Sequence, residues 1–335
     1  MTWLALDIGG ANIKIADGKG YAATREFPMW RRPDQLAAQL RRMIAEAPAA
    51  ERLAATMTGE LADCFETKAD GVRHIVESFV DAADGRHARI YLSDGRLVAP
   101  PIALRSPMLA AAANWHAMAS FAAQAIEDPS ALLIDIGSTT TDIIPLLNGL
   151  AAAQGATDTE RLRRGELVYT GTVRSPVCGV CQTLPYRGAD LPVAHELFSR
   201  VADAYVVLGE FSEDPTCTDT ADGRPLTRGY ARARLGRMIC ADSEIFNHRD
   251  AIAVAERIHA AQTSLIATYA QQVIGQIGQR IDRVVMSGKG EFLARRVCQE
   301  VLAGVPQTLL SEHLGPTVST CAPAHALATI AGQAS

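Results

Sequence analysis

A chain of 335 residues, 48% hydrophobic and 21% charged, has the composition of a globular protein and the length for two cores rather than one. A formal net charge of −5 excludes a general nucleic-acid or anionic-membrane surface, which needs a clustered basic excess. No apolar run of about 18 residues is present to span a bilayer, and residues 2–7 read as a strand rather than a leader, so a cytoplasmic protein with reduced thiols is expected.

The chain opens on one half of a repeat. Leu4-Ala-Leu-Asp7-Ile-Gly9-Gly10-Ala-Asn12-Ile-Lys14-Ile15 returns 128 residues later as Leu132-Leu-Ile-Asp135-Ile-Gly137-Ser138-Thr139-Thr140-Thr141-Asp142-Ile143. Each copy is an apolar strand ending in Asp, a turn of small residues and a second strand, which predicts a β-hairpin with a polar tip. Two copies predict a duplicated α/β fold. After the first hairpin, 20–27 reads as a strand and 33–46 as a helix with Pro33 at its start, where the missing N–H does no harm. A strand over 53–57 runs into Thr58-Gly59-Glu60; then come a helix (72–83), a strand (87–92) and an alanine-rich helix (108–125). The expected lobes are 1–129 and 130–335, with the last helix free to pack back onto the first lobe. The second lobe reads as strands near 132–136, 142–147 and 167–173, then an insertion over 175–229 with one helix (194–208). Helices over 230–240 and 251–277, a strand over 283–286 and helices over 291–302 and 322–331 follow. The basic pairs Arg31-Arg32 and Arg161 to Arg164 read as solvated surface. Cys178-Gly-Val-Cys181 is a single CxxC without the further ligands that zinc requires, so packing is its expected use.

The hairpin tips carry the chemistry. A strand-end carboxylate holds Mg2+ through water, because that ion sheds its hydration shell reluctantly; Asp7 and Asp135 are the candidate metal ligands. Glycines at the turn let backbone N–H groups approach phosphate oxygens with no Cβ in the way. Gly9, Gly10, Gly137, the hydroxyls of Ser138, Thr139, Thr140 and Thr141, the amide of Asn12 and the Lys14 cation therefore form a candidate phosphate cradle.

The segments Asp7-Ile-Gly-Gly-Ala-Asn12 and Asp135-Ile-Gly-Ser-Thr-Thr-Thr-Asp142 resemble the two phosphate motifs of the actin/Hsp70/sugar-kinase superfamily. Val284-Val-Met-Ser-Gly288-Lys289-Gly290-Glu291 resembles its adenosine motif, a strand, a glycine turn and a helix N-terminus that attracts anions. The resemblance implies two ribonuclease-H-like lobes around a cleft, with Gly288 and Gly290 also at phosphate. Met57 to Phe65, Arg105 to Trp115, Gly165 to Gly171, Arg174 to Cys178 and Thr220 to Arg224 are similar to the hydantoinase/oxoprolinase-related proteins of tetrahydromethanopterin-linked C1 transfer. That group implies a transferase of methanofuran or methylofuran biosynthesis, joining an aminomethylfuran-methyl diphosphate to the phenol of a tyramine- or tyrosine-derived acceptor. Its partners are then small molecules, and a homo-oligomer is allowed. Lys289 stands where the superfamily keeps a second glycine against adenosine, which favours a diphosphate ester over ATP. Lys289 is thus a candidate for stabilising the leaving group and Glu60 for general base. Thr58, Gly59, Arg105, Tyr169 and Arg174 are candidates for holding the substrates. The alternative is an ATP-dependent kinase or oxoprolinase-like hydrolase of the same fold, with ATP and Mg2+ in the cleft.

Overall fold

The computed structural model describes residues 2–334. Its frame is two sheets of matching order. The first holds β1 (Trp3–Ile8), β2 (Asn12–Ala16), β3 (Ala22–Glu26), β4 (Arg52–Met57), β5 (His87–Tyr91) and β6 (Leu97–Val98), in the order β3-β2-β1-β4-β5-β6. The second uses β7 (Ser130–Ile136), β8 (Thr141–Leu147), β9 (Leu150–Ala151) and β10 (Leu167–Val168). Beyond a separate two-stranded hairpin, β11 (Thr183–Tyr186) with β12 (Ala189–Pro192), it adds β13 (Arg283–Ser287) and β14 (Gln307–Leu309), in the order β10-β8-β7-β13-β14. In both, a three-stranded antiparallel unit is followed by parallel strands: β4 runs parallel to β1, and β13 to β7. This is the ribonuclease-H-like pattern twice over, the duplicated fold that the repeat predicts.

The strands form where apolar residues are continuous. Every residue of β1 is buried, as a central strand covered on both faces requires. The helix Lys68–Ala83 starts at Thr67, whose hydroxyl accepts from the backbone N–H of Asp70. The helix contains Gly71 because it crosses the backbone of Glu60: a Cβ there would lie 2.2 Å from the Glu60 carbonyl oxygen.

Two helices are exchanged between the sheets. Asn114–Gln124 leaves the first half and packs through Trp115, Met118 and Ala122 on Leu133, Ile144 and Leu146 of the second sheet. Ala322–Gln333, the last helix, returns to the first sheet, where Leu327, Ala328 and Ala331 cover Trp3, Ala5 and Ala54.

Several boundaries differ from the sequence reading. The alanine-rich segment is broken: Pro107–Ala110 is a single turn, Ala112 has φ +47°, and the main helix begins only at Asn114. The strand expected over 167–173 stops at Val168, because the chain then crosses the second hairpin tip: Thr172 N–H donates to the Gly137 carbonyl and Val173 N–H to that of Ser138, each at 3.0 Å. In the insertion, the helix starts at Val201, and β11 with β12 occupy residues that read as loop.

Candidate functional site

The register of each sheet determines which side chains meet at the tips. Asp7 lies opposite Lys14 across the first hairpin, and Asp135 opposite Asp142 across the second. Lys14 Nζ is 3.4 Å from Asp7 Oδ2. Burial would lower the pKa of Lys14, but the charges of Asp7 and Asp135 outweigh it and hold the ammonium well protonated. One cation thus feels the strand-end carboxylates of both lobes, and the two tips share one cleft.

Asp135 has the opposite problem. Burial, and then the Asp142 carboxylate, push its pKa up to about 6, with Lys14 opposing. Asp142 is itself raised by burial against the pull of Arg161. That arginine corrects the surface reading of its segment. Only 2% exposed, its Nη2 lies 2.6 Å from Asp142 Oδ1 and donates to the Glu166 carbonyl, while the guanidinium covers the Trp115 ring at 4.1 Å. An acidic residue facing Asp135 needs a buried counter-cation, and only the pairing across the hairpin identifies it as Arg161.

The backbone of the first tip is tight. Gly9 N–H donates to the Asn12 carbonyl at 3.0 Å, and a Cβ on Gly9 would sit 2.7 Å from that oxygen. Gly10 accepts from Met29 N–H at 2.9 Å, which fastens the segment of Trp30, Arg31 and Arg32 beside the tip. Gly59 packs its α-carbon side on Gly9 and Gly10, and the exposed Thr58 has its hydroxyl at the same turn. At the second tip Gly137 N–H donates to the Thr140 carbonyl at 2.9 Å, and Ser138, Thr139 and Thr140 are half-exposed. Gly171 is pressed on this tip, where a Cβ would approach Thr139 N to 2.5 Å. Thr141 is spent elsewhere: fully buried, its hydroxyl donates to the Thr170 carbonyl at 2.8 Å.

Gly288 and Gly290 lie against the second tip. A Cβ on Gly288, at φ +87°, would meet the Asp135 carboxylate at 2.6 Å; one on Gly290 would meet the Ile136 side chain at 2.5 Å. Gly290 begins the helix Glu291–Val301 with no side-chain cap, which leaves first-turn N–H groups for an anion. Lys289, between them, is exposed; desolvation and then the charge of Lys14 lower its pKa, so it stands near the same centre. Cys217, on the insertion, also interacts electrostatically with Lys289. That loop is anchored by the buried Arg234, which pairs with Asp203 at 2.6 Å and Asp222 at 3.0 Å.

Glu60 follows Gly59 directly. It is 1% exposed, Oε2 has no hydrogen-bond partner, and burial pushes its pKa up to about 7. Asp158 and Lys68, which pair across the lobes at 2.9 Å, act on it in opposite directions. Arg174 reaches over the Trp30 ring at 5.0 Å, closing one side of the cleft. Tyr169 is 65% exposed beside the second tip. Arg105 lies on an exposed helix end, with Nε donating to the Pro101 carbonyl of its own turn. Cys181 is buried in the second core with its thiol pushed up to about 11, a packing role.

The site fits a hydrated divalent ion. Asp7 is 3% exposed and its Oδ1 has no partner, an orphaned acceptor beside a second carboxylate. Among the described residues no group of three or more His, Cys, Asp or Glu is arranged to enclose a metal; Mg2+ is commonly held by one or two carboxylates, waters and substrate phosphates. No helix of the described residues is long and apolar enough to cross a membrane.

The hydantoinase/oxoprolinase family model matches residues 51–334. The chain is 32% identical over 332 residues to the (4-{4-[2-(gamma-L-glutamylamino)ethyl]phenoxymethyl}furan-2-yl)methanamine synthase of Methanocaldococcus jannaschii, covering 98% of this chain and 96% of that protein. It is 29% identical over 214 residues to the synthase of the same name from Methanococcus vannielii, covering 63% of this chain and 95% of that one. Among solved structures it is similar to a polyphosphate/ATP-glucomannokinase from Arthrobacter sp. strain KM (13% identity, 99% of each chain, TM-score 0.44). It is also similar to an ethanolamine utilization protein from Carboxydothermus hydrogenoformans (12% identity, 98% of this chain and 90% of that one, TM-score 0.48).

Proposed function

The chain belongs to the hydantoinase/oxoprolinase family, and from that premise we propose that it is a transferase of methanofuran or methylofuran biosynthesis. It joins an aminomethylfuran-methyl diphosphate to the phenol of a tyramine- or tyrosine-derived acceptor and releases diphosphate. The observation that carries this reading is the end-to-end alignment, 98% of one chain on 96% of the other, with a synthase whose named product is a phenoxymethylfuran.

The ether in that name joins a phenyl oxygen to a methylene on the furan. The bond formed is therefore O–C, and the leaving group departs from the same carbon. A phenol with a pKa of about 10 is a poor nucleophile until it loses its proton. Glu60, with its pKa near 7 and a free carboxylate oxygen, takes that proton. The phenol oxygen supplies the electron pair of the new bond as the bond from methylene to diphosphate breaks, and that second pair leaves on the diphosphate. Charge grows on the leaving group between the tips. Lys14, Lys289 and the turn N–H groups stabilise it there more in the transition state than before it. Asp7 and Asp135 would hold Mg2+ through its waters, and the ion would supply Lewis-acid neutralisation of charge on the diphosphate. Arg174 over Trp30 bounds the space in which the aromatic rings meet.

The test is incubation of the protein with the furan diphosphate, a tyramine-derived phenol and Mg2+, followed by mass spectrometry. The ether and stoichiometric diphosphate are expected. ATP turnover with no ether, and stabilisation by ATP rather than by diphosphate, overturns the proposal in favour of an ATP-dependent kinase or hydrolase.

A further inference from the structure

Three buried oxygens without partners gather where the strand-end carboxylates sit: Asp7 Oδ1, Thr56 Oγ1 and Ser287 Oγ. Thr56 is the register partner of Asp7 across β1 and β4, and Ser287 that of Asp135 across β7 and β13. In-register neighbours on adjacent strands share a face of the sheet. Each lobe therefore sets one hydroxyl beside its strand-end Asp, in the same place of the duplicated fold. Thr56 and Ser287 are both 0% exposed. Neither hydroxyl meets hydrogen-bond geometry with any group.

We infer that Thr56 and Ser287 are positioning residues, whose hydroxyls orient the Asp7 and Asp135 carboxylates toward a hydrated divalent cation carried with diphosphate. The inference rests on the metal site proposed above and adds to it two residues that no tip motif contains. A buried hydroxyl without a partner costs about 1–3 kcal/mol, and most buried polar groups are bonded. Two such losses at matching positions, beside a third on Asp7, mark a site whose partners arrive with the ligand. A hydroxyl suits that task because it both donates and accepts. With the hydrated cation bound, its proton would go to the carboxylate drawn into place beside it, fixing the rotamer of Asp7 or Asp135, and its lone pairs would receive a proton of a cation-bound water. Mg2+ keeps several waters, and each of them needs an acceptor.

The experiment is Mn2+ binding, read by electron paramagnetic resonance of the free ion in the presence of inorganic diphosphate, with thermal unfolding of the ligand-free protein alongside. Thr56→Val and Ser287→Ala are expected to weaken Mn2+ binding by about 10- to 100-fold, as loss of a group that orients a metal ligand does. Thr56→Ser retains wild-type affinity. The Tm of the free variants stays level or rises, since an unsatisfied group has been removed. Binding within twofold of wild type, or a weakening that tracks a fall in Tm, overturns the inference. If Asp7→Asn abolishes binding while Thr56→Val does not, this inference fails and the carboxylate site stands. If the wild-type protein binds no Mn2+ with diphosphate, both fail.

Discussion

The two lobes place the same backbone around different chemistry. At the first hairpin the strand-end Asp7 faces Lys14; at the second, Asp135 faces Asp142, which a buried Arg161 must hold. One residue beyond each Asp, the Ile8 carbonyl accepts from Gly59 N–H at 3.1 Å and the Ile136 carbonyl from Gly290 N–H at 2.9 Å. A glutamate follows each glycine. Glu291 opens a helix and is satisfied, with Oε1 accepting from Ser311 N–H at 3.0 Å and Oε2 from the Ser311 hydroxyl. Glu60 has no such companion for Oε2, and its pKa rises to about 7. The duplication supplies the control. The fold itself does not require an unpartnered glutamate at this position, so the state of Glu60 answers to something other than folding.

The sharpest way to break this comparison is to neutralise each glutamate. Glu60→Gln should lower kcat about 10²- to 10⁴-fold, the range for a lost general base. In the wild type, kcat/KM should climb with pH to a plateau above about 7; Glu291→Gln should leave that profile in place and lower Tm instead. Equal kinetic losses in the two variants would erase the distinction. Stability gives the same contrast with the sign fixed by linkage. A carboxyl raised from 4.5 to about 7 stabilises the fold fully below pH 4.5 and loses that contribution as pH rises through 7. At about 1.4 kcal/mol per unit this is on the order of 3 kcal/mol, so Glu60→Gln should unfold later than wild type at pH 8, measured in urea. Asp135, raised from 3.8 to about 6, adds a loss in the lower part of the same window that the variant retains.

Lys289 tests the leaving group. Removing one charge-assisted contact of about 2–3 kcal/mol that strengthens in the transition state should lower kcat and kcat/KM together, about 30- to 100-fold. A Lys289→Ala variant with unchanged kcat, or with a lower KM for ATP, would remove the lysine from the chemistry.

The tips themselves should separate binding from folding. Gly137 has room for a Cβ, whose nearest neighbour would be the Thr140 carbonyl at 3.5 Å; on Gly9 it would press to 2.7 Å on Asn12. Gly137→Ala should therefore keep its Tm and lose diphosphate affinity, whereas Gly9→Ala loses both, as calorimetry would report. The smallest effect belongs to the Arg174–Trp30 contact across the cleft. Trp30→Leu should cost about 0.5–1 kcal/mol of stability, and an unchanged Tm would show that the lobes do not depend on it.

Much of this was legible in the chain. The repeat gave both hairpins and the two aspartates because a short apolar run and a polar turn are local signals. Glu60 was legible as a residue just beyond a strand end. Thr56, Ser287 and Asp142 were not, since their meaning lies in which residue stands opposite in the sheet, a non-local fact. Arg161 read as surface because its neighbours Leu162, Arg163 and Arg164 are half-buried or exposed, and only the ring of Trp115 and the carboxylate of Asp142 draw it inside. The return of the last helix to the first lobe was an open expectation, but the crossing of Asn114–Gln124 to the second sheet was beyond periodicity, which says that a helix has an apolar face but not which sheet it covers.

That exchange has a consequence for how the protein comes into being. One face of the first sheet, at Trp3, Ala5 and Ala54, is covered by residues 327–331. A ribosome adding about 5–20 residues per second exposes that apolar face for many seconds before its cover is made. The amino-terminal half cannot mature as a separate unit during synthesis, and its last step waits until residues 327–331 have been made. Pulse-labelled chains arrested near residue 320 should bind chaperones and be cut by protease within the first sheet, and a further dozen residues should silence both signals.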